Sequence, residues 1–320
     1  MNNAEFLIEA RDLNKKFKIK TGFKINYINA VENANFGIKK GKTLAVIGES
    51  GSGKTTLGRT LLRLTEPDSG KIIYDGKDIT KEKMKPYRKK MQIIFQNPSS
   101  ALDPKMTAKQ IIVEALGVHK IAKDKKEQNE RIACLLAQMG INNAYADRYP
   151  HEFSKGQQQR ITIARALAVE PEFIVCDEPT SALDMSIQSQ IINLLMKLQQ
   201  DKDIAYMFIS HDLALVKYIS DETAVMYMGS IIEKSKSAEI YSNPAHPYTI
   251  DLLNSYSQDD KAYNFMHFKS PHHNNGLNKS AGQKGCAYAV KCKYAKDICR
   301  QIKPEMLQIT ADHYCSCHLL

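Results

Sequence analysis

One eight-residue stretch, Gly48-Glu49-Ser50-Gly51-Ser52-Gly53-Lys54-Thr55, constrains the fold of this chain more than any other feature. The apolar run 43–47 before it predicts a buried strand, and residues 56–62 after it have a helical pattern. The glycines let backbone N–H groups point inward as a nest for phosphate oxygens, beside the positive end of the helix. The stretch therefore predicts a polyphosphate site, although a Gly/Ser-rich turn can match such a pattern by chance.

Side chains that would act on a bound nucleotide lie in this loop and at the end of a later strand. We expect Lys54 to reach the β and γ phosphates and the Thr55 hydroxyl to bind Mg²⁺. The apolar run 173–176 delivers Asp177 and Glu178 at a predicted strand end, where an α/β sheet places its ligand groups. Asp177 is expected to hold Mg²⁺, directly or through water, and Glu178 to polarise the water that attacks the γ phosphate.

Two further residues, His211 and Phe17, each have a functional and a structural interpretation, and a third, Ser154, has a structural one. His211 follows the apolar run 205–209 and is expected to contact the γ phosphate, although a lone histidine is more often structural. Phe17 either stacks on a purine or is an ordinary aromatic residue of a sheet, and the sequence leaves both open. Ser154 suits the N-cap of a helix that opens at 153–160 and continues from 161 to 168.

Charge and hydropathy limit the class of protein. The net charge of +10 is spread over several lysine clusters. This pattern favours a solvated surface, then contact with an anionic membrane face, and only then nucleic acid, because no basic stretch is interleaved with aromatic residues. No apolar run approaches the roughly 18 residues that span a bilayer, and the amino terminus lacks a signal-peptide pattern. We therefore expect a cytosolic or peripheral protein.

The seven cysteines are distributed unevenly along the chain. Cys134 and Cys176 lie in apolar surroundings and are predicted to be small core residues. The other five are close to the carboxyl terminus: Cys286, Cys292, Cys299, Cys315 and Cys317. In a cytosolic chain such clustering indicates a metal before disulfides, and the spacing permits a structural Zn²⁺.

Six motifs in order make the chain resemble the ATPase subunit of an ABC transporter over about residues 5–257. They are the phosphate loop, Gln96, the segment 154–157, the pair Asp177-Glu178, Asp184 and His211. The resemblance implies an α/β P-loop NTPase core with an antiparallel β subdomain and a helical insertion, followed by a small Cys-rich extension. The implied domains are an ATPase at 1–257 with a helical subdomain at about 97–165, a linker at 258–284 and a metal-binding tail at 285–320.

The resemblance also implies roles for individual residues. Two such domains would pair head to tail and share each ATP, with Gln96 sensing the metal and His211 clamping the γ phosphate. Lys155 departs from the family, which usually has glycine there, and this puts the catalytic contribution of the segment in doubt. The implied catalytic residues are Glu178, His211 and Gln96. The implied Mg²⁺ ligands are Thr55, Gln96 and Asp177. The implied ATP-binding residues are Phe17, Gly48, Ser50, Gly51, Ser52, Gly53, Lys54, Thr55, Thr56, Ser154, Gly156, Gln157 and Asp184.

A narrower likeness involves the segment 243–249, the run 94–98 and the cysteine-bearing tail. All three look like the corresponding parts of the dipeptide/oligopeptide importers. Relatives of these importers carry nickel and other small solutes. The insertion between Phe17 and Ala30 resembles their second (F-type) ATPase subunit. The resemblance implies ATP-driven peptide import at the cytoplasmic face of the bacterial cell membrane. The partners implied are two permease subunits, a second ATPase and an extracytoplasmic solute-binding protein, with no nucleic acid. A nickel or other small-solute importer is an alternative, and a soluble ABC-type ATPase acting on nucleic acid or ribosomes is the rival from another class.

The cysteine tail is similar to importer tails that bind a 4Fe-4S cluster. This likeness implies four thiolate ligands, which are Cys286, Cys292, Cys299 and Cys317, with Cys315 as the alternative to Cys317. Zn²⁺ stays open as the alternative metal, because the spacing alone permits it almost as well.

Overall fold

The computed structural model describes residues 5–21, 24–256 and 285–320, so the predicted linker at 258–284 lies outside the described residues. The strands are β1 (Ile8–Thr21), β2 (Lys24–Ile38), β3 (Thr43–Ile47), β4 (Ser69–Tyr74), β5 (Lys77–Asp78), β6 (Met91–Ile94), β7 (Phe173–Asp177), β8 (Ala205–Ile209), β9 (Glu222–Tyr227), β10 (Ser230–Lys236), β11 (Leu307–Thr310) and β12 (His313–Cys315). The helices are α1 (Lys54–Leu61), α2 (Lys85–Arg88), α3 (Pro98–Ala101), α4 (Ala108–Val118), α5 (Lys125–Gln138), α6 (Lys155–Leu167), α7 (Met185–Lys202), α8 (Leu213–Ile219), α9 (Ser237–Ser242), α10 (Pro247–Tyr256) and α11 (Asp297–Gln301), with 3₁₀ turns at Asn143–Tyr145 and Pro150–Glu152.

The chain forms two compact units, each built from segments that are distant in sequence. The first unit comprises Met1–Ile8, Ile38–Thr43 and Tyr74–Ser210. The second comprises Glu9–Gly37, Leu44–Ile73 and His211–Leu320. The phosphate loop thus belongs to the second unit, whereas Gln96, the segment 154–157 and the pair at 177–178 belong to the first.

The first unit contains a parallel sheet whose strand order is β8-β7-β6. Every residue of β7 and β8 is buried, which explains why these strands read as continuous apolar runs instead of alternating ones. Helices α3 to α6 lie between Pro98 and Leu167, in the part of the chain where the resemblance implies a helical insertion.

Local capping explains where the helices of the first unit begin. The side chains of Thr107 and Ser154 each accept a hydrogen bond from a backbone N–H three residues on, and the glutamine there bonds back to the cap residue. Asp124 caps α5 in the same position, by accepting from the Glu127 N–H. These reciprocal bonds satisfy donors that a helix start otherwise leaves unpaired. The predicted N-cap role of Ser154 is confirmed.

The second unit contains the strand order β11-β12-β10-β9-β3. Strand β3 runs parallel to β9, whereas β10 is antiparallel to both β9 and β12. The two strands of the carboxyl-terminal tail therefore extend the sheet whose strand β3 leads into the phosphate loop. A second sheet places β1 between β2 and β4.

Most of the insertion between Phe17 and Ala30 belongs to two long strands, because β1 extends to Thr21 and β2 begins at Lys24. One expectation about local structure is wrong. Cys134 is exposed instead of buried, because the buried face of α5 carries Ile132, Leu135 and Leu136 and residue 134 lies on the other side of the helix. Cys176 is fully buried on β7, as predicted.

None of the helices in the described part of the chain combines the length and the hydropathy that a membrane crossing requires.

Candidate functional site

The phosphate loop depends on glycine at two positions where the backbone passes close to another strand or its flank. At Gly53, whose φ is +106°, a Cβ atom would lie 2.0 Å from the carbonyl oxygen of Ala30. At Gly48 a Cβ atom would lie 2.1 Å from the carbonyl oxygen of Met226. Real Cβ atoms do not approach a backbone oxygen so closely, so any other residue would displace the loop from its sheet.

The polar groups of the loop are arranged as a cradle for an anion. The Lys54 ammonium is buried and donates to the carbonyl oxygens of Gly48 and Glu49, at 2.8 and 2.9 Å. The Ser52 hydroxyl oxygen is also buried, and it has no hydrogen-bond partner among the described residues. Such an unpaired buried hydroxyl is costly unless a ligand satisfies it. Thr55 and Thr56 follow in the first turn of α1, where the helix dipole favours negative charge.

The first unit brings together two of the predicted catalytic residues. Asp177 is the last residue of β7 and is 3% exposed, and Glu178 follows it, half-buried. The side-chain amide of Gln96 donates to Oε2 of Glu178 at 2.7 Å. The motif order predicted both residues as site residues, but nothing in the sequence indicated this direct contact.

The backbone at Glu178 is in the left-handed region, with φ of +48°. Its N–H donates to the carbonyl oxygen of Ile209, and its own carbonyl accepts from the N–H and hydroxyl of Ser181. A glutamate held in this uncommon conformation is strained, and such strain is concentrated at functional sites. The bonds on both sides of Glu178 fix the direction in which its chain leaves β7.

The segment 154–157 begins α6, and its residues differ in exposure. Gly156 is buried, and a Cβ atom there would lie 2.7 Å from a methyl group of Ile187. Lys155 is exposed at the first helical residue, so the lysine is accommodated without a steric conflict. Ser154 and Asp184 are also exposed, and each directly precedes a helix.

Phe17 and His211 lie in the second unit, and both are exposed. Phe17 is on β1 with 42% of its surface accessible, and the Lys15 ammonium lies 5.7 Å from its ring centroid. An accessible ring beside a cation is compatible with stacking on a base. His211 follows the end of β8 by two residues. The roles of both residues stay predictions.

Four of the five tail cysteines line one cavity in the second unit, which we call the cysteine cavity. It encloses about 280 Å³ of empty space, including the part open to solvent. Cys315 does not line it and is fully buried in β12. Of the two alternatives for the fourth thiol, Cys317 is thus the one at the cavity. The lining residues are Cys286, Cys292, Cys299, Cys317, His246, Pro247, Tyr288, Ala289, His318 and Leu319.

Burial governs the protonation of these thiols. It raises the pKa of Cys286, Cys292 and Cys317 above the ordinary value of a thiol. They are therefore protonated at neutral pH unless a cation takes the place of the proton. All seven cysteines are free thiols. Within residues 5–21, 24–256 and 285–320, no group of three or more His, Cys, Asp or Glu side chains is arranged so that it could hold a metal ion. The expectation of a preformed metal site in the tail is therefore not supported.

Sequence reasoning missed a group of buried polar residues beside the cysteine cavity. Glu233 is fully buried and accepts from the N–H groups of Ala245 and His246 and from Nε2 of His313, which lies 2.7 Å away. These bonds join β10 to the segment 243–249 and to β12 of the tail. The segment 243–249 is distinctive in sequence, but nothing in it identifies the glutamate of β10 to which its backbone N–H groups bond.

Comparison with family models identifies both parts of the chain. Residues 31–181 match the model described as ABC transporter. Residues 232–299 match the model described as oligopeptide/dipeptide transporter, C-terminal region. The second match includes three of the cavity thiols.

Relatives of known function match nearly the whole chain. The oligopeptide transport ATP-binding protein AppF of Bacillus subtilis is 43% identical over 99% of this chain and 98% of its own length. The dipeptide transport ATP-binding protein DppF of Escherichia coli is 39% identical over 94% of this chain and 90% of its own. Among solved structures, a dimeric post-hydrolysis state of the ATP-binding cassette MJ0796 bound to ADP and phosphate aligns with a TM-score of 0.64 and 28% identity, covering 72% of this chain and 98% of that one.

Proposed function

The chain belongs to the ABC transporter ATP-binding proteins of oligopeptide and dipeptide transport, and from this premise we propose how its residues carry out that work. It is an ATPase subunit that energises peptide import through a membrane transporter with permease subunits and a solute-binding protein. The observation that carries the proposal is the phosphate cradle, with its buried Lys54 ammonium and the unpaired hydroxyl of Ser52.

In this proposal the loop residues bind and orient the triphosphate of ATP. Lys54 exchanges the carbonyl oxygens of Gly48 and Glu49 for phosphate oxygens, and the Ser52 hydroxyl gains a partner. The N–H groups of the loop and of the first turn of α1 supply the remaining donors, with Phe17 stacking on the base. Ser50, Gly51 and Thr56 complete the set.

Catalysis would rest on Glu178 and the residues that orient it. Its carboxylate takes the proton of the attacking water, and the Gln96 amide, already bonded to it, holds the carboxylate in position. Mg²⁺ supplies charge neutralisation of the phosphates when bound, and the oxygen donors of Thr55, Gln96 and Asp177 fit its preference for hard ligands. His211 clamps the γ phosphate.

We further propose that the chain pairs with a second, related ATPase subunit at the cytoplasmic face of the cell membrane. Ser154, Gly156, Gln157 and Asp184 would then contact the ATP held by the partner. The exposure of Ser154 and Asp184 at helix starts supports this role, since N-terminal N–H groups favour phosphate. Lys155 adds a positive charge at the same helix start.

Gentle solubilisation of membranes that contain the tagged subunit tests the assembly. Two polytopic membrane proteins and a second ATPase are expected to co-purify. Co-purification of a homodimer of the tagged chain with the same permeases would contradict the proposed pairing with a second ATPase, but it would agree with peptide import. Ribosomal or DNA-bound material without permeases would contradict the transport assembly.

For the tail we propose a 4Fe-4S cluster ligated by Cys286, Cys292, Cys299 and Cys317. The proposal is supported by the meeting of these four thiols at one cavity. Four cysteine thiolates are the ligand set that such a cluster would need, and these four residues would supply it.

Metal analysis of anaerobically purified, full-length chain tests the cluster. We expect iron and acid-labile sulfide in similar amounts. Stoichiometric zinc without iron would contradict the cluster and would indicate a structural zinc site instead.

A further inference from the structure

Gln158, in the first turn of α6, makes three side-chain hydrogen bonds to parts of the first unit that lie apart in the sequence. Its Nε2 donates to the carbonyl oxygens of Pro150 and Phe153, at 2.9 and 3.1 Å. Its Oε1 accepts from the Ser99 hydroxyl at 2.7 Å. Carbonyl oxygens can only accept, so these contacts fix the orientation of the amide and make Ser99 the donor to it. Gln158 is 8% exposed, and loss of its partners would leave a buried polar group unpaired.

The first two of these bonds hold the start of the segment 154–157. Phe153 directly precedes Ser154, whose hydroxyl caps α6, and Pro150 begins the preceding 3₁₀ turn. Because the Gln158 amide bonds to both carbonyl groups, the chain that enters α6 is attached to the first turn of the helix itself. The position of Ser154 therefore depends on Gln158 as well as on its own cap.

The third bond reaches the turn that follows Gln96. Asn97 caps α3 by accepting the Ser99 N–H at 3.0 Å, so Ser99 follows Gln96 within one capped turn. The Gln96 amide donates to the Glu178 carboxylate at 2.7 Å. Short, ordered hydrogen bonds of this kind hold a reactive group in one geometry. The proposed base and the start of α6 are thus joined, through Gln158, within one unit of the chain.

A further contact fixes the other end of α3. The Arg165 guanidinium donates to the carbonyl oxygen of Ala101, the last residue of that helix. Positions 158 and 165 are two helical turns apart, so they lie on one face of α6. That face therefore holds α3 near its start and at its end. Two separated bonds fix both the place and the direction of α3, whereas a single bond would leave it free to pivot.

We propose that Gln158 is a positioning residue for ATP hydrolysis, which holds the start of the segment 154–157 in register with Gln96 and hence with Glu178. The inference rests on the proposed roles of Glu178 as base and of the segment as the contact to the ATP of the partner. One chain then supplies a base to its own ATP and a phosphate contact to the other, and Gln158 fixes these groups relative to each other. Such groups must lie within about 0.5 Å of their productive positions.

Steady-state hydrolysis of ATP by the assembled transporter tests this role. Gln158→Leu removes all three hydrogen bonds, so we expect kcat to fall about tenfold or more, and Ser99→Ala removes one, so we expect a fall of about fivefold. The affinity of each isolated chain for a fluorescent ATP analogue should be unchanged, because the phosphate loop belongs to the second unit. A role in stability alone would not separate kcat from affinity in this way.

Gln110→Leu is the matched control. The Oε1 atom of Gln110 accepts the Thr107 N–H at 2.8 Å in the cap of α4, so this variant also loses a glutamine hydrogen bond of the first unit. It should keep the kcat of the unchanged transporter. A loss of kcat in Gln110→Leu equal to that in Gln158→Leu would overturn the positioning role.

The double variant shows whether the bond between the two side chains carries the effect. With Gln158→Leu present, Ser99→Ala should lower kcat no further, since the partner of its hydroxyl is already absent. Unchanged kcat in both single variants, or losses that multiply in the double variant, would overturn the proposal. Ser99 is exposed, so Ser99→Ala decides the outcome by itself if Gln158→Leu does not assemble. An unchanged transporter that hydrolyses no ATP would instead contradict the proposed function, and the inference with it.

Discussion

At the scale of single residues, the phosphate loop shows how much a missing Cβ atom decides. Gly53 is held at φ of +106° against the carbonyl of Ala30, whereas Gly51, at φ of +77°, has no neighbouring atom within 4 Å of where its Cβ would lie. The sequence pattern predicted glycine at both positions for the same reason, a phosphate-binding turn. The structure adds that Gly53 is required by its contact with Ala30 as well as by its backbone angle, whereas Gly51 is required by its backbone angle alone.

This difference predicts unequal effects on stability. Gly51→Ala should lower the free energy of unfolding by about 1 kcal/mol, the cost of a left-handed alanine. Gly53→Ala should cost about 3 kcal/mol, because it adds a clash with a backbone atom to the strain. Thermal or denaturant unfolding of the nucleotide-free chain measures both. Equal decreases in the free energy of unfolding would show that the backbone near Ala30 moves to accommodate the added Cβ atom, and would contradict the prediction.

Glu178 carries the second prediction at this scale. Glu178→Gln keeps an oxygen that accepts from the Gln96 amide, so ATP affinity should be unchanged, but it cannot take a proton from water. ATP hydrolysis by the assembled transporter should fall by on the order of 100-fold or more. Glu130→Gln, at an exposed position of α5, removes the same charge and should leave hydrolysis unchanged. Undiminished hydrolysis in Glu178→Gln would remove Glu178 from the role of base.

At the scale of elements, helix starts could be read from the sequence more reliably than strand lengths. Ser154 has the residue types of a capping box, Ser at the cap and Gln three residues on, and the structure has both reciprocal bonds. The lengths of β1 and β2 could not be predicted from the sequence, since seven of the fifteen residues at 15–29 are lysine or asparagine, which strands disfavour, and the two strands pair with each other. The apolar neighbours of Cys134 in the sequence predict burial, but its position in the helical repeat of α5 turns it outward.

The caps of α6 and α4 allow structure and function to be separated. Ser154→Ala and Thr107→Ala each delete a capping hydroxyl, so each should lower the free energy of unfolding by about 1 kcal/mol. Only Ser154 is proposed to contact the ATP of the partner, so only its substitution should lower ATP hydrolysis by the assembled transporter. Unfolding curves and steady-state hydrolysis of both variants check this. A matching loss of hydrolysis in Thr107→Ala would mean that capping alone explains the effect.

At the scale of the whole molecule, each unit is assembled from three separate segments of chain, and this limits what local sequence patterns can foresee. The order of the motifs predicted the candidate site residues, because each motif is a short stretch that can be recognised in the sequence by itself. The contact between the carboxyl-terminal part and the phosphate loop joins Tyr248 and Glu49, which are 199 positions apart. No short-range pattern of residue types carries that information.

The same assembly makes the tail thiols a test of long-range stabilisation. Metal that binds only the folded cavity stabilises the chain by mass action, so the loaded protein should melt at a higher temperature than the chelated one. Cys317→Ser removes a thiol from the cavity and should abolish both iron uptake and this difference. Cys315→Ser changes a buried residue of β12 that does not line the cavity, so it should lower the melting temperature of both forms yet keep the iron and the difference between them. Iron, sulfide and zinc analyses with melting curves of the two variants decide the outcome. Loss of iron in Cys315→Ser with retention in Cys317→Ser would assign the fourth ligand to Cys315, because each serine removes only its own thiol and the two cysteines are separated by a single residue.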